Sequence, residues 1–465
     1  MRWNEIKIGI KDFWNEFKEI RFGIVGLCFL IFFILLVIFY PLITPFPETS
    51  SRWRDITYWE DNSRSVPPVW VNWFSSMKRT PSVIIEESVS SEEQIEKIRI
   101  LKKIFTYNYS YDIPPTDIIF HGYSEGSPLV MLSIERPDGY TVGLIRIVLS
   151  SGEAKRIRIS IDKDSKTEAF NFGTKYEKKD VRASREMAKP TNILFAEAKE
   201  GILSRSSSLK GDYKIIAEII MPTENDVVED IYLAFIGSVS GILGTDDSKR
   251  DIWSGIIAGA RWALLIGLLT SMTAVSIGVV YGVVSAYLGG WQDSLMQRVF
   301  EIFVSVPLLP ILIVMSAIFK PNIWIMISMM SAFFWVGPVK TVRSIGLQIK
   351  EETFIEASRA FGASNSRIIF KHMVPLLIPY AFASMALSVP RAIIYEASIS
   401  LLGLGDSTIV TWGQILHDAL KGGAVINKMW WWVIPPGLFV ALMGMTFAFI
   451  GFAMDKILHP KLRTR

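Results

Sequence analysis

The sequence predicts an α-helical polytopic membrane protein with six transmembrane helices and a large α+β insert between the first and second of them. Apolar residues make up 50% of the 465 residues and collect in long uncharged runs. A helix needs about 20 apolar residues to cross the hydrocarbon core. Residues 48–240 lack such a run and show the short alternating pattern of strands. Together these observations indicate a membrane protein with one folded domain outside the bilayer.

Six apolar runs mark the predicted spans. They lie at residues 22–47, 262–292, 302–319, 321–339, 373–390 and 429–454. The first run is too long for the apolar region of a cleavable signal peptide, and no small-residue cleavage pattern follows it. We therefore expect 22–47 to be retained as the first transmembrane helix and 241–465 to form a transmembrane domain with the other five.

Residues 1–21 are predicted to form a cytoplasmic amphipathic helix that lies on the membrane surface. Apolar residues recur every three or four positions with charged residues between them, and such a stripe suits the interface plane. The apolar positions are Trp3, Ile6, Ile10, Phe13, Phe17 and Ile20. A helix packed on a partner protein is the alternative.

The insert at 48–240 is predicted to be one compact α+β domain. Strand-like alternation of β-branched residues occurs at 129–135, 141–150, 156–161 and 213–220. Residues 90–103 carry Ile95, Ile98 and Leu101 at three-residue spacing among charges, which predicts a surface helix. The one cysteine, Cys28, lies in the first span, so core packing must hold the insert together without a disulfide.

The distribution of basic residues predicts which side of the membrane each connection faces. Short flanks rich in Lys and Arg stay in the cytoplasm. The N-terminal segment, the connection after the fourth run and the C-terminal tail are basic, and the opposite short connections hold only Lys320, Lys421 and Lys428. We therefore expect a multi-pass protein of the plasma (inner) membrane with both termini in the cytoplasm and residues 48–240 outside.

The connection after the fourth run is polar and basic. Thr353 followed by Glu356 has the spacing of a capping box, which starts a helix, and Gly362 can take the left-handed conformation that ends one. A second helix is predicted to begin at Ser364 and to stop at Pro375. The expected helix–turn–helix would lie below the membrane and suit docking into a groove on a cytoplasmic partner.

Residues 350–375 resemble the EAA loop of ABC importer permeases, whose pattern is Glu-Ala-Ala, three residues, Gly, and Pro thirteen positions after that Gly. Ser358 stands where the pattern has its second Ala. The positions that match it, or that match the form of the dipeptide and oligopeptide permeases, are Glu356, Ala357, Gly362, Ala363, His372 and Pro375. Further segments similar to that family lie at 244–261, 287–291, 305–307 and 396–413. The resemblance covers about 240–465 and the first 45 residues, and this chain departs from it in the insert.

The resemblance implies a type I ABC importer permease of the C type. Two such permease subunits pair, usually as a heterodimer. Each loop sits on one of two cytoplasmic ATPase subunits, and an extracytoplasmic binding protein delivers the substrate. Di- or oligopeptides are the expected substrate, with oligosaccharides or nickel as the alternatives.

This chain is expected to be no enzyme. It has no G-x-x-x-x-G-K-[ST] phosphate loop, so ATP and Mg²⁺ would be bound by the partner ATPases. We predict no catalytic residue and no bound cofactor or metal, because the histidines are far apart and H-E-x-x-H spacing is absent. The net charge of +4 gives no support to a nucleic-acid partner.

Arg391 and Glu396 are charged residues at or near membrane depth, where a lone charge costs about 3 kcal/mol on insertion scales. One hypothesis places them on the translocation path or at the interface with the second permease. In the other, Arg391 reaches outward to water and Glu396 already lies in the outer loop. His372 is expected to make a structural hydrogen bond. An ATP-independent secondary transporter is the alternative from another class, but the sequence lacks the internal repeats or intramembrane ionisable chain that it would show.

Overall fold

The computed structural model describes residues 13–95, 98–177, 184, 186, 188–204, 206–223, 226–320 and 322–458. They form two compact units, one made of the chain up to Arg54 together with residues from Trp253 onward, and one of Asp55–Ile252. Most of the predicted surface helix at 1–21 lies outside the described residues, of which 13–19 are helical. The first long helix, α1 (Arg21–Ile38), and two short turns, α2 (Tyr40–Ile43) and α3 (Thr49–Arg52), lead to the insert.

The described residues of the insert unit form two antiparallel sheets and two helices. Its strands are β1 (Val83–Ile85), β2 (Val89–Ile95), β3 (Ile98–Tyr109), β4 (Asp117–Glu125), β5 (Leu129–Glu135), β6 (Thr141–Val148), β7 (Lys155–Arg158), β8 (Gly211–Met221) and β9 (Val227–Ile236). The helices are α4 (Lys163–Thr174) and α5 (Pro190–Leu194), and 3₁₀ turns lie at Thr57–Trp59 and Val69–Trp73. The strand orders are β1-β9-β4-β7 and β2-β3-β8-β5-β6. The four predicted strands correspond to β5, β6, β7 and β8, so those predictions are confirmed.

The surface helix predicted at 90–103 is wrong, because the described residues of this segment belong to the antiparallel strands β2 and β3. Ile95 is paired with Ile98, and Leu101 is paired with Glu92. Ile95 and Ile98 therefore lie opposite each other on paired strands, whereas Ile98 and Leu101 are three positions apart on one strand and point to opposite faces of the sheet. Every residue of β2 is exposed, so the strand carries no alternation of apolar and polar side chains that could have revealed it.

A buried arginine ties the strands of the insert to α5. Arg136 is 2% exposed, and its guanidinium carbon lies 4.6 Å from the ring centre of Phe172. It donates hydrogen bonds to both carboxylate oxygens of Asp138 and, at 3.1, 2.8 and 2.6 Å, to the carbonyls of Ile193, Leu194 and Ala196. Burial raises the pKa of Asp138, but the hydrogen bonds and charge of Arg136 outweigh it and hold that pKa below its usual value. Loss of Arg136 would leave buried carbonyls without these donors.

The other unit consists mainly of long helices. They are α6 (Ile252–Leu288), α7 (Gly290–Ser305), α8 (Leu308–Ile318), α9 (Ile323–Phe334), α10 (Val336–Lys350), α11 (Thr353–Ala360), α12 (Asn365–Arg367), α13 (Ile378–Leu401), α14 (Trp412–Lys421) and α15 (Trp430–Leu458). Among the described residues, five helical runs are long and apolar enough to cross a membrane, or six if the bent pair α7–α8 is one span. The protein is therefore a helical polytopic membrane protein.

The third predicted span, 302–319, is not one continuous helix. α7 ends at Ser305 and α8 begins at Leu308, and the two are bent by 80°. Pro307 has no N–H to continue the helical hydrogen bonds, and it keeps Val306 extended at φ −76° and ψ 124°. The apolar run is thus divided between two helices, each too short to cross the bilayer alone.

Glycines permit close approach of helices at three contacts. A Cβ added at Gly26 of α1 would lie 2.9 Å from Cβ of Phe449 in α15, and one at Gly451 would lie 2.6 Å from Leu387 in α13. At Gly278 of α6 it would lie 2.3 Å from the carbonyl oxygen of Trp335. Small residues at such contacts are typical of membrane bundles, where tight packing must replace a hydrophobic driving force.

An ion pair fastens α7 to α10. Arg343 Nε donates to the Asp293 carboxylate at 2.8 Å, and a second guanidinium N–H donates to its other oxygen. Ser285 of α6 donates to the same carboxylate, and Gln297 donates to Ser285 at 2.9 Å. Side chains of α6, α7 and α10 therefore meet at the Asp293 carboxylate, and α10 is the helix that precedes α11.

Candidate functional site

The connection between α10 and α13 begins with the short helix α11. The residue before it, Glu352, has extended backbone (φ −73°, ψ 137°), and no side chain caps the helix. The predicted capping box is therefore wrong, because Thr353 is already the first helical residue. Only Glu351 and Glu352 separate α10 from α11. A capping box needs Thr353 as the residue just before the helix, but the helix already includes it.

Gly362 ends α11 as predicted. Its φ is +79°, in the left-handed region that favours glycine. The Gly362 N–H donates to the Arg359 carbonyl at 2.9 Å, and the Ala363 N–H donates to the Ser358 carbonyl at 3.1 Å. These two bonds define a Schellman motif, in which a left-handed residue satisfies the last carbonyls of a helix and reverses the chain.

The prediction that a second helix stops at Pro375 is wrong. α12 continues without a break through a π turn (Ile368–Met373) and a 3₁₀ turn (Val374–Leu377) into α13. Ser364 precedes α12 with extended backbone and makes no side-chain cap. Proline removes one helical hydrogen bond and crowds the preceding turn. The change from π to 3₁₀ geometry around Pro375 accommodates both effects, so the helix carries on.

The segment from α11 to Pro375 is called the coupling segment after its predicted role, and one side of it is packed on α6. Ile355 and Ile368 are fully buried, in one apolar cluster with Val279 and Val283. Tyr287, at the end of α6, donates its hydroxyl hydrogen to the Asn365 side-chain oxygen at 2.9 Å. The Arg359 guanidinium carbon lies 5.6 Å from the Tyr287 ring centre. Side chains from both α11 and α12 are therefore in contact with α6.

The other side of the coupling segment is open. Phe354, Glu356, Ala357 and Gly362 are exposed, and Phe361 is 91% exposed. Phe354 and Phe361 together expose apolar surface beside charged residues, and apolar patches rimmed by polar residues mark interaction sites. A short rigid helix with aromatic anchors could insert into a groove of another protein.

The remaining predicted residues of the segment are placed differently. Ser358 and Ala363 are half-buried, and the Ser358 hydroxyl donates to the Phe354 carbonyl at 2.7 Å. His372 is half-buried on the π turn, and the described part of the chain offers its ring no hydrogen bond. Pro375 is exposed, more than two helical turns beyond α12. The exposed surface of α11 therefore combines Glu356, Ala357 and Gly362 but does not extend to the proline.

Arg391 and Glu396 both lie on α13 but are not brought together. Glu396 is 4% exposed and accepts a hydrogen bond from the Ser400 hydroxyl at 2.7 Å. The hypothesis that it lies in an outer loop is therefore wrong. Arg391 is exposed, and its guanidinium carbon lies 4.8 Å from the ring centre of Phe334. Five positions on a helix separate side chains by about 140°.

The sequence did not reveal that Lys340 shares a cleft with Arg391. Both residues line the same space between helices that are distant in sequence. In the sequence, Lys340 is one of several basic residues in the connection after the fourth apolar run. No local signal could have linked it to α13, because the contact depends on helix packing.

Comparison with known proteins gives matches at both ends of the chain. The family model described as "Binding-protein-dependent transport system inner membrane component" matches residues 278–464. The model described as "N-terminal TM domain of oligopeptide transport permease C" matches residues 10–68. Residues 69–277 lie between these two segments and include most of the insert unit.

Individual relatives agree with the family models. The dipeptide transport system permease protein DppC of Bacillus subtilis is 34% identical over 221 residues, which cover 47% of this chain and 68% of that protein. The oligopeptide transport system permease protein OppC of Haemophilus influenzae is 35% identical over 221 residues, covering 47% and 70%. A solved structure of the MetNI methionine ABC transporter, facing inward, is 19% identical, with a TM-score of 0.34 over 45% of this chain and 97% of that one. This chain belongs to the family of dipeptide and oligopeptide ABC importer permeases, as a multi-pass subunit of the C type.

Proposed function

We propose that this protein forms the translocation path of a binding-protein-dependent peptide importer together with a second, homologous permease subunit. Two cytoplasmic ATPase subunits supply the energy, and an extracytoplasmic binding protein supplies the substrate. The coupling segment is the observation that carries this proposal. Its exposed surface suits an ATPase groove, and its buried side is joined to α6 by Ile355 and Tyr287.

Coupling would proceed through a rigid linkage. Closure of the ATPase dimer moves α11, and the packed Ile355 and Ile368 carry that movement into α6 without a flexible joint. The Schellman turn at Gly362 keeps α11 at a constant angle to α12, which is continuous with α13. The same displacement therefore reaches two membrane helices.

The basic flanks support a cytoplasmic location for both termini and for the coupling segment, and an extracytoplasmic location for the insert. An insert outside the membrane would stand on the side where a binding protein docks. We infer that it shapes this docking. Its deletion should lower binding-protein-stimulated ATP hydrolysis more than basal hydrolysis, and equal losses of both would contradict this role.

Peptides are the substrate best supported, because the relatives are named dipeptide and oligopeptide permeases. The same machinery could carry oligosaccharides or nickel. A peptide importer should take up a radiolabelled peptide into vesicles that contain the complete complex, but only with ATP on the ATPase side and binding protein on the other. Uptake of an oligosaccharide or Ni²⁺ in place of peptide would assign a different substrate. Peptide uptake without ATP would point to a secondary transporter.

A further inference from the structure

A cleft of about 330 Å³ lies in the helical unit, between α7, α8, α9, α10 and α13. Aromatic and aliphatic side chains form most of its wall, and two cations complete it. The lining residues are Phe300, Phe303, Val304, Val306, Leu308, Phe333, Val336, Gly337, Lys340 and Arg391. No acidic side chain is among them. The cleft is thus apolar and aromatic with a net positive charge.

Both cations lack an acidic partner among the described residues. Arg391 faces the rings of Phe334 and Tyr395, at 4.8 and 5.7 Å from guanidinium carbon to ring centre. Lys340 Nζ lies 5.4 Å from the ring centre of Phe300. Aromatic faces attract cations but do not neutralise them. By contrast, Arg343, three residues after Lys340 on the same helix, forms an ion pair with Asp293 of α7.

The position of these charges makes their lack of a counter-charge significant. Arg391 lies inside the helical run Asn365–Leu401, which is apolar enough to cross a membrane, and Lys340 lies on the helical run Ile323–Lys350, directly after the apolar run 321–339. Charged residues within spans usually face a cavity and mark a substrate pathway. The cleft also has free space, because a Cβ added at Gly337 would meet no heavy atom of the described residues within 4 Å outside its own helix.

We propose that this cleft binds the terminal carboxylate of a peptide during translocation, with Arg391 and Lys340 as its counter-charges; this inference rests on the proposed peptide import. Guanidinium binds carboxylate with two parallel hydrogen bonds, and the aromatic walls accept the adjoining apolar side chain. The volume is that of a small-ligand site, whereas one acidic side chain from a second permease would fill only part of it. Glu396 takes no part, since it is buried on another side of α13.

The test compares a peptide with its C-terminal amide, which differs only in the carboxylate. Uptake of radiolabelled trialanine and trialanine amide is measured in vesicles with the complete complex, at saturating binding protein and ATP. Arg391→Gln should lower uptake of the free acid about tenfold more than uptake of the amide, as expected for loss of a charge-assisted hydrogen bond. Lys340→Gln should act in the same direction, and Arg391→Lys should restore part of the preference.

The matched control is Arg298→Gln, because Arg298 is a cation on α7 that is paired with Glu301 and does not line the cleft. It should keep the wild-type ratio of the two peptides. Equal loss of both peptides in Arg391→Gln, with release of the second permease in a pull-down, would overturn the proposal in favour of an intersubunit ion pair. An unchanged ratio with intact assembly would also overturn it. Failure of the wild type to import either peptide would instead refute the proposed function, and the carboxylate site with it.

Discussion

Replacement of Gly362 tests the coupling segment most directly. The residue has a φ of +79°, and its N–H and that of Ala363 close the turn that ends α11. Apart from its chain neighbours, no described residue has a heavy atom within 4 Å of a Cβ added at Gly362, so this added carbon would meet open space. The expected defect comes from backbone strain alone, which makes its size predictable.

The strain can be estimated from the conformation. A non-glycine residue in the left-handed region costs about 1–2 kcal/mol, and a β-branched residue is a stronger outlier there. Such a cost changes a population by a factor of about 5–30. The ratio of protein with the turn formed to protein without it should fall by that factor in Gly362→Val, and the apparent affinity for the ATPase should fall by at most the same factor. Asparagine tolerates this backbone region, so Gly362→Asn is the matched control with a similar added volume.

The assay measures three quantities on each variant in the complete complex. ATPase retention is measured by pull-down, peptide uptake in vesicles, and ATP hydrolysis per peptide imported. Gly362→Val should remain inserted in the membrane, should lose ATPase or uncouple hydrolysis from uptake, and should do so more than Gly362→Ala. Gly362→Asn should stay close to wild type.

Two outcomes would refute this reasoning at different points. Wild-type uptake by Gly362→Val with its ATPase bound would show that the segment does not couple. A loss in Gly362→Asn as large as in Gly362→Val would show that the partner surface excludes any side chain, and that the left-handed backbone is not the cause.

Three further predictions test other parts of the protein. In a cysteine-free background, an impermeant thiol reagent should label Ser151→Cys in intact cells and Ser364→Cys only after the membrane is breached; the reverse would overturn the orientation. Residues 55–252 expressed alone should unfold cooperatively in urea, and Arg136→Leu should lower the free energy of unfolding by about 3–5 kcal/mol, since it removes a buried charge and its bonds; an unchanged midpoint would contradict this. Asp293→Asn and Arg343→Gln should each destabilise the complex in a thermal melt by about 1.5–3 kcal/mol, and the double variant by hardly more, because both remove one interaction; additive losses would argue against the pair.

Local signals in the sequence were sufficient for the overall class of the protein. Apolar runs long enough to span the bilayer, and basic residues concentrated in alternate connections, predict a polytopic membrane protein without any knowledge of packing. The turn at Gly362 was equally predictable from the sequence, because only glycine takes a left-handed conformation readily and the residue follows a short helical pattern. These features depend on a few neighbouring residues.

The tertiary structure alone decided features that depend on distant partners. Spacing could not distinguish the β2–β3 hairpin from a helix, since β2 is exposed on both faces and its identity comes from pairing with β3. Pro375 predicts the end of a helix when the sequence is considered alone, but its effect depends on the π and 3₁₀ turns around it. The cleft is formed by five helices, and only their packing places Lys340 and Arg391 in its lining. The buried face of α13 is determined by its packing against other helices. The sequence of α13 alone does not identify that face.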